Sequence, residues 1–215
     1  MRYLIAGSIL SLFSICTFAD EIENKTERID MADPTAVYSS VGAHAYTNGD
    51  LDLSAGLAWG KSVLAVESKG GFDAFNVRYA KMNMWNGVGI YAESTIQTEK
   101  DFGTTASVGA VGTYSLNNRW TMYPILTFGS TEHIEDDWIA TGTVGVYNRF
   151  KLGSGFSLGI DPFYTIGESN YESTYIDSFV NYQYKNHQIR IGYNGSESHV
   201  TDFDGEGYIE YKMAF

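Results

Sequence analysis

The sequence predicts an all-β protein, an antiparallel barrel of about twelve strands that takes up most of its 215 residues. Three observations carry that reading. Apolar residues recur with period two in twelve separate runs, and no stretch shows the 3.6-residue spacing of an amphipathic helix. The chain holds 16 Tyr, 12 Phe and 23 Gly but only 3 Pro, a balance that suits aromatic strands joined by glycine turns. In the last nine residues Ile209, Tyr211, Met213 and Phe215 share one face while Tyr208, Glu210 and Lys212 share the other, so this strand has one apolar side and one charged side.

Taken in order, residues 1–19 read as a cleaved signal peptide. Arg2 gives a basic start, the apolar stretch 4–15 is too short to span a bilayer as a helix, and small residues flank the expected cleavage point at Ala19. The single cysteine, Cys16, falls inside this segment, so the mature chain is expected to hold no thiol, disulfide or cysteine metal site. Residues 20–34, polar and ending in Asp33-Pro34, read as a short unpaired leader. The barrel follows over 35–215, in runs at 35–47, 51–60, 62–68, 72–82, 87–97, 104–116, 120–130, 138–152, 156–166, 172–185, 188–196 and 205–215. The count falls to ten if Lys69-Gly70-Gly71 marks a bulge in place of a hairpin. Pro124 and Pro162 lie inside runs, where a missing N–H breaks the ladder, and a local irregularity is expected at each.

The connections alternate in character. Gly60-Lys61, Asn117-Asn118-Arg119, Gly153-Ser154-Gly155 and Asn186-His187 are tight-turn chemistry. The intervening segments 98–103, 131–137, 167–171 and 197–205 read as longer, more acidic loops. Alternation alone does not say which face is inside, since a soluble barrel and a membrane barrel share the period and differ in orientation. The aromatics decide it. Trp59, Tyr79, Trp120, Phe150, Phe156, Tyr184 and Phe215 sit on the apolar face near the short-turn ends of their runs, and Phe128 and Tyr164 near the other end, as girdles at two membrane interfaces would.

These features, with a terminal strand that closes on Phe215, resemble the outer-membrane β-barrel proteins of Gram-negative bacteria as a general, porin-like class. The resemblance implies an antiparallel transmembrane barrel in the outer membrane, short periplasmic turns, longer acidic extracellular loops and a periplasmic leader. It also implies contact with outer-membrane lipid and lipopolysaccharide, and recognition of the Phe215 strand by the outer-membrane insertion machinery, although Glu210 stands where that signal usually carries glycine.

With the apolar face toward lipid, the other face becomes the lumen. It carries the expected pore-lining residues His44, Asp52, Arg78, Glu93, Arg149, Lys151, Asp161, Asp177, Arg190, Glu210 and Lys212. A basic residue facing lipid near the midplane would cost about 2–4 kcal/mol, which agrees with their shared place on the polar side. The expected function is a small passive channel for ions or small solutes. A closed structural or loop-binding barrel is the first alternative. An outer-membrane acyl hydrolase is the second, with His199 and Thr201 two residues apart, although a nucleophile also needs a group to orient its base. A net charge of −12 repels nucleic acid. The acidic run around Glu132-His133 reads as a solvated loop, and no cofactor is expected.

Overall fold

The computed structural model describes residues 29–98, 103–132, 138–199 and 201–215. Its strands are β1 (Ser40–Tyr46), β2 (Leu51–Trp59), β3 (Ser62–Lys69), β4 (Ala74–Trp85), β5 (Val88–Gln97), β6 (Thr105–Val111), β7 (Tyr114–Ser115), β8 (Trp120–Glu132), β9 (Trp138–Gly153), β10 (Phe156–Gly167), β11 (Glu172–Tyr184), β12 (His187–Ser198) and β13 (Thr201–Ala214). Twelve close into one antiparallel ring. Neighbours in sequence pair with one another, β6 passes over the two-residue β7 to pair with β8, and β13 returns to β1 in register from Ser40↔Ala214 to Tyr46↔Tyr208. Closure leaves no long unpaired edge.

Several boundaries differ from those expected: the run 104–116 breaks at Gly112-Thr113 into β6 and β7, and three others have a clear physical cause. β1 begins at Ser40, not at residue 35, because 35–39 belong with the leader. The expected loop 197–205 is mostly strand: β12 and β13 pair from Ser196↔Asp204 to Ser198↔Thr201 around a tight hairpin. Above the apolar band a strand needs no greasy face, so polar residues there are no sign of a loop. β4 runs on to Trp85, where Asn86 and Gly87, with φ of 45° and 85°, make the tight asparagine–glycine turn that right-twisted hairpins favour.

Both prolines sit at gaps in the ladder. Gly112 N–H donates to the Pro124 carbonyl (2.9 Å), but proline has no N–H to complete the reciprocal bond, and pairing on that side is interrupted between Val111↔Ile125 and Tyr114↔Met122. Pro162 pairs with Ile176 on β11, whereas on the β9 side pairing stops at Ile160↔Asn148 and resumes at Phe163↔Gly145. Side chains bridge that second gap: Asn148 N–H donates to Asp161 Oδ1 (3.1 Å) and Asn148 Nδ2 to the Ile160 carbonyl (2.8 Å).

The outward face is apolar, with Leu57, Val108, Phe128 and Ile191 all more than 60% exposed. In water so large an apolar surface is a liability; against lipid tails it is the solvated face. Trp59, Trp85, Phe156, Tyr184 and Phe215 project outward at the short-turn end, and Phe128, Trp138 and Tyr164 at the other. Trp120 stacks on Phe150 across β8 and β9 (5.0 Å between centroids), and Phe156 packs on Tyr182 across β10 and β11 (4.7 Å). The polar residues face inward, so the arrangement is that of a membrane barrel.

Candidate functional site: the barrel lumen

Period-two alternation, held in register around the ring, gathers the inward side chains into one cavity of about 750 Å³. It runs from Met31, Asp33 and Pro34 at the short-turn end to Asp50, Gly70 and Glu206 at the other. One wall, formed by β11 to β13 and β1 to β3, is strongly charged. Here Glu210, only 1% exposed, meets Lys212 Nζ (2.7 Å), His44 Nε2 (3.0 Å) and Arg190 Nε (3.2 Å). His44 reaches on through Nδ1 to Glu67 (3.1 Å), which also takes Lys69 (2.9 Å). The chain Lys69–Glu67–His44–Glu210–Lys212 thus crosses β3, β1 and β13. A buried carboxylate is retained only when its charge is matched in this way.

Arg190 lies over the Phe179 ring, its guanidinium carbon 3.9 Å from the centroid, at a cation–π distance. Phe179 itself fits because Gly159 on β10 has no side chain: a Cβ there would fall 2.2 Å from the ring. Arg78 pairs with Glu93 (3.0 Å), whose carboxylate also accepts from Asn76 (2.7 Å) and from the Tyr91 hydroxyl. Asp177 accepts from the Tyr208 hydroxyl (2.8 Å), and Asp52 from the Gly71 N–H (3.0 Å).

The short-turn end is filled by the chain itself. Residues 29–39 fold into the barrel as a compact plug built on two Asx turns: Ala32 N–H donates to Asp30 Oδ1 (3.1 Å) and Thr35 N–H to Asp33 Oδ1 (2.7 Å). Met31 is 3% exposed. Gln183 clamps the segment from both sides, accepting from Met31 N–H (2.9 Å) and donating through Nε2 to the Ile29 carbonyl (2.7 Å). Arg149 Nε donates to the Ala32 carbonyl (2.7 Å), and Lys151 Nζ pairs with Asp30 (2.9 Å). Val37 packs against an inward apolar cluster that includes Ala80, Met82, Val111 and Ile125. The described part of the expected unpaired leader is therefore an internal plug, because Asp33-Pro34 turns the chain inward and the wall supplies partners for its backbone.

His44, Asp52, Arg78, Glu93, Arg149, Asp161, Asp177, Arg190, Glu210 and Lys212 all line this cavity, while Lys151 stands at the plug. What the residue pattern did not flag is the inward apolar cluster. Its members occupy inward-parity positions on β4, β5, β6 and β8, and apolar residues on a polar face are a signal that something covers them. His199 and Thr201 lie in the β12–β13 hairpin, with Thr201 bonded to the Ser198 hydroxyl (2.8 Å) and the His199 ring edge-on to Tyr171 (5.4 Å). His133 lies outside the described residues.

Fold and lumen together define a closed antiparallel β-barrel of the membrane-spanning type, apolar outside and polar within. No protein-family model matches the sequence, and no curated protein matches it. Solved structures do. The NanC porin superposes with a TM-score of 0.59 at 9% identity, covering 82% of this chain and 98% of that one. An outer-membrane channel of Pseudomonas putida F1 gives 0.55 at 8% identity, with 83% and 96% covered. The KdgM porin gives 0.50 at 7% identity, with 83% and 99% covered.

Proposed function

We propose that the protein is a small passive channel of the bacterial outer membrane, passing ions or small solutes through a charged lumen that its own N-terminal segment narrows. The observation that carries this reading is the polar cavity running from the plug to the outer rim. A twelve-stranded ring has a bore between the side-chain-filled eight-stranded barrels and the wide sixteen-stranded porins. KdgM, which shares the fold, has been solved with an oligogalacturonate, in keeping with solute passage through such a barrel. The test is single-channel recording of the refolded protein in a planar bilayer. Discrete openings are expected. A silent, correctly folded barrel would overturn the channel reading in favour of a closed structural barrel, a second reading that the plug and its Arg149 and Gln183 contacts favour. Lipid hydrolysis by the same sample would overturn the non-enzymatic one.

Selectivity follows from the outer end of the cavity, where Asp50, Asp52 and Glu206 stand close to the lumen entrance. Lys69, the cation at this end, is paired with Glu67, so the collar stays net negative and concentrates cations. We expect mild cation preference at low salt, fading near 1 M where the Debye length drops to about 3 Å; reversal potentials report it. Anion preference at low ionic strength would instead hand control to Arg78, Arg149 and Arg190.

Orientation has its own test. With Cys16 the only cysteine of the chain, Asp202→Cys in the β12–β13 hairpin provides one thiol in the mature protein. We expect it to react with an impermeant reagent on intact cells. Labelling only after the outer membrane is breached would place this hairpin in the periplasm.

A further inference from the structure

The lumen has two unlike walls. Facing the charged wall, the outer halves of β5, β6, β8, β9 and β10 form a side recess of about 290 Å³ that opens into the lumen, sharing Tyr91, Glu93, Thr143, Tyr147 and Phe163 with it. Most of its hydroxyls come from threonines, Thr95, Thr127, Thr131, Thr141, Thr143 and Thr165 among them, and its one charged lining residue among those described is Glu93. That carboxylate is already taken by Asn76, Arg78 and Tyr91, so the pocket presents no free charge. It presents aromatic rings instead: Tyr147 and Phe163 meet edge to face (5.1 Å between centroids). Phe163 is held flat on the wall because Gly145 leaves room for it; a Cβ there would fall 2.2 Å from the ring.

We infer that this pocket is a binding site for a neutral saccharide of one or two sugar units. The inference rests on the channel reading for its physiological sense and deepens it by naming a solute class. Each threonine hydroxyl both donates and accepts, as each sugar hydroxyl does, so a ring of them matches a polyol without regard to charge. The γ-methyl groups and the Tyr147 and Phe163 rings suit the apolar C–H face of a pyranose. An anionic sugar finds no cation in the lining of the recess, and the nearest one, Arg78, already pairs with Glu93. The volume falls just below the roughly 300–1,000 Å³ typical of small-molecule sites, which limits the occupant to a short saccharide.

Thr143 and Thr165 supply a clean test because their hydroxyls bond each other (2.8 Å). Replacing both with valine, as T143V/T165V, removes the pair while keeping its shape, a change that leaves no orphaned partner in the wall. The probes are glucose, maltose and galacturonate, followed by saturation-transfer NMR on the full mature protein in a detergent without a sugar headgroup. We expect glucose and maltose to bind the wild type, galacturonate to bind more weakly, and T143V/T165V to lose roughly tenfold or more in affinity for the neutral sugars. Phe163→Ala, which removes a ring and no hydroxyl, is expected to weaken binding as well. Neutral-sugar binding that T143V/T165V leaves unchanged, or binding of galacturonate alone, would overturn the assignment. The assay needs no ion flow, so a barrel that binds sugar and stays silent in a bilayer would sink the channel reading alone, and one that conducts without binding sugar would sink this inference alone.

Discussion

Deleting residues 29–38 is expected to raise the unit conductance severalfold, because these residues line the short-turn end of the lumen cavity. Ser39 is kept, since its carbonyl accepts the Phe215 N–H (3.0 Å) and helps seat the closing strand. A milder variant separates docking from length. Gln183→Ala removes two hydrogen bonds to the plug backbone, each worth about 1 kcal/mol, which together shift the balance between docked and released plug by about thirtyfold. That variant should show the deletion's larger conductance as a substate whose dwell time grows, with the barrel itself unchanged in heat-modifiability. If both variants conduct as the wild type does, the plug does not limit the path and the constriction lies elsewhere in the lumen.

That plug marks the boundary of what the residues reveal on their own. Strand parity is written in every other side chain, so the ring, its inward charges and its aromatic bands are legible from periodicity alone. One slip of register would turn all of them to lipid. Residues 29–39 carry no such period. Their place depends on partners more than a hundred positions away, Arg149 and Gln183, and no local pattern encodes that pairing. The clue was indirect: Met82, Val111 and Ile125 stand at inward positions where water would be a poor neighbour, and Val37 covers them. The 197–205 hairpin was obscured for a different reason, since polar alternation beyond the membrane looks like loop although its backbone pairs as strand. The pairing of charges across the lumen, such as His44 between Glu67 and Glu210, follows from register and shear, neither of which composition contains.

Arg149→Met is expected to be the most damaging single substitution in the lumen, costing about 3–5 kcal/mol. Arg149 is 5% exposed and Asp161 3%, and their contact of 2.5 Å is sealed by the plug on one side and the Phe179 ring on the other, 4.8 Å from the guanidinium carbon. Removing the guanidinium leaves an uncompensated carboxylate in a site with little access to water and strips the Ala32 and Asn148 carbonyls of donors. Asp161 has a second duty, accepting from Asn148 N–H where Pro162 interrupts the ladder, so truncating it to alanine would trade one orphan for another. Asparagine avoids both, because its carbonyl oxygen still accepts from Asn148 and carries no charge. The double variant R149M/D161N should therefore recover most of the stability lost in R149M, though not the plug contact. Urea unfolding in lipid vesicles measures the cycle. A loss below about 1 kcal/mol in R149M would mean that water reaches and screens Asp161, as it does at surface ion pairs, and failure of D161N to rescue would place the damage in the lost carbonyl contacts and not in the stranded charge.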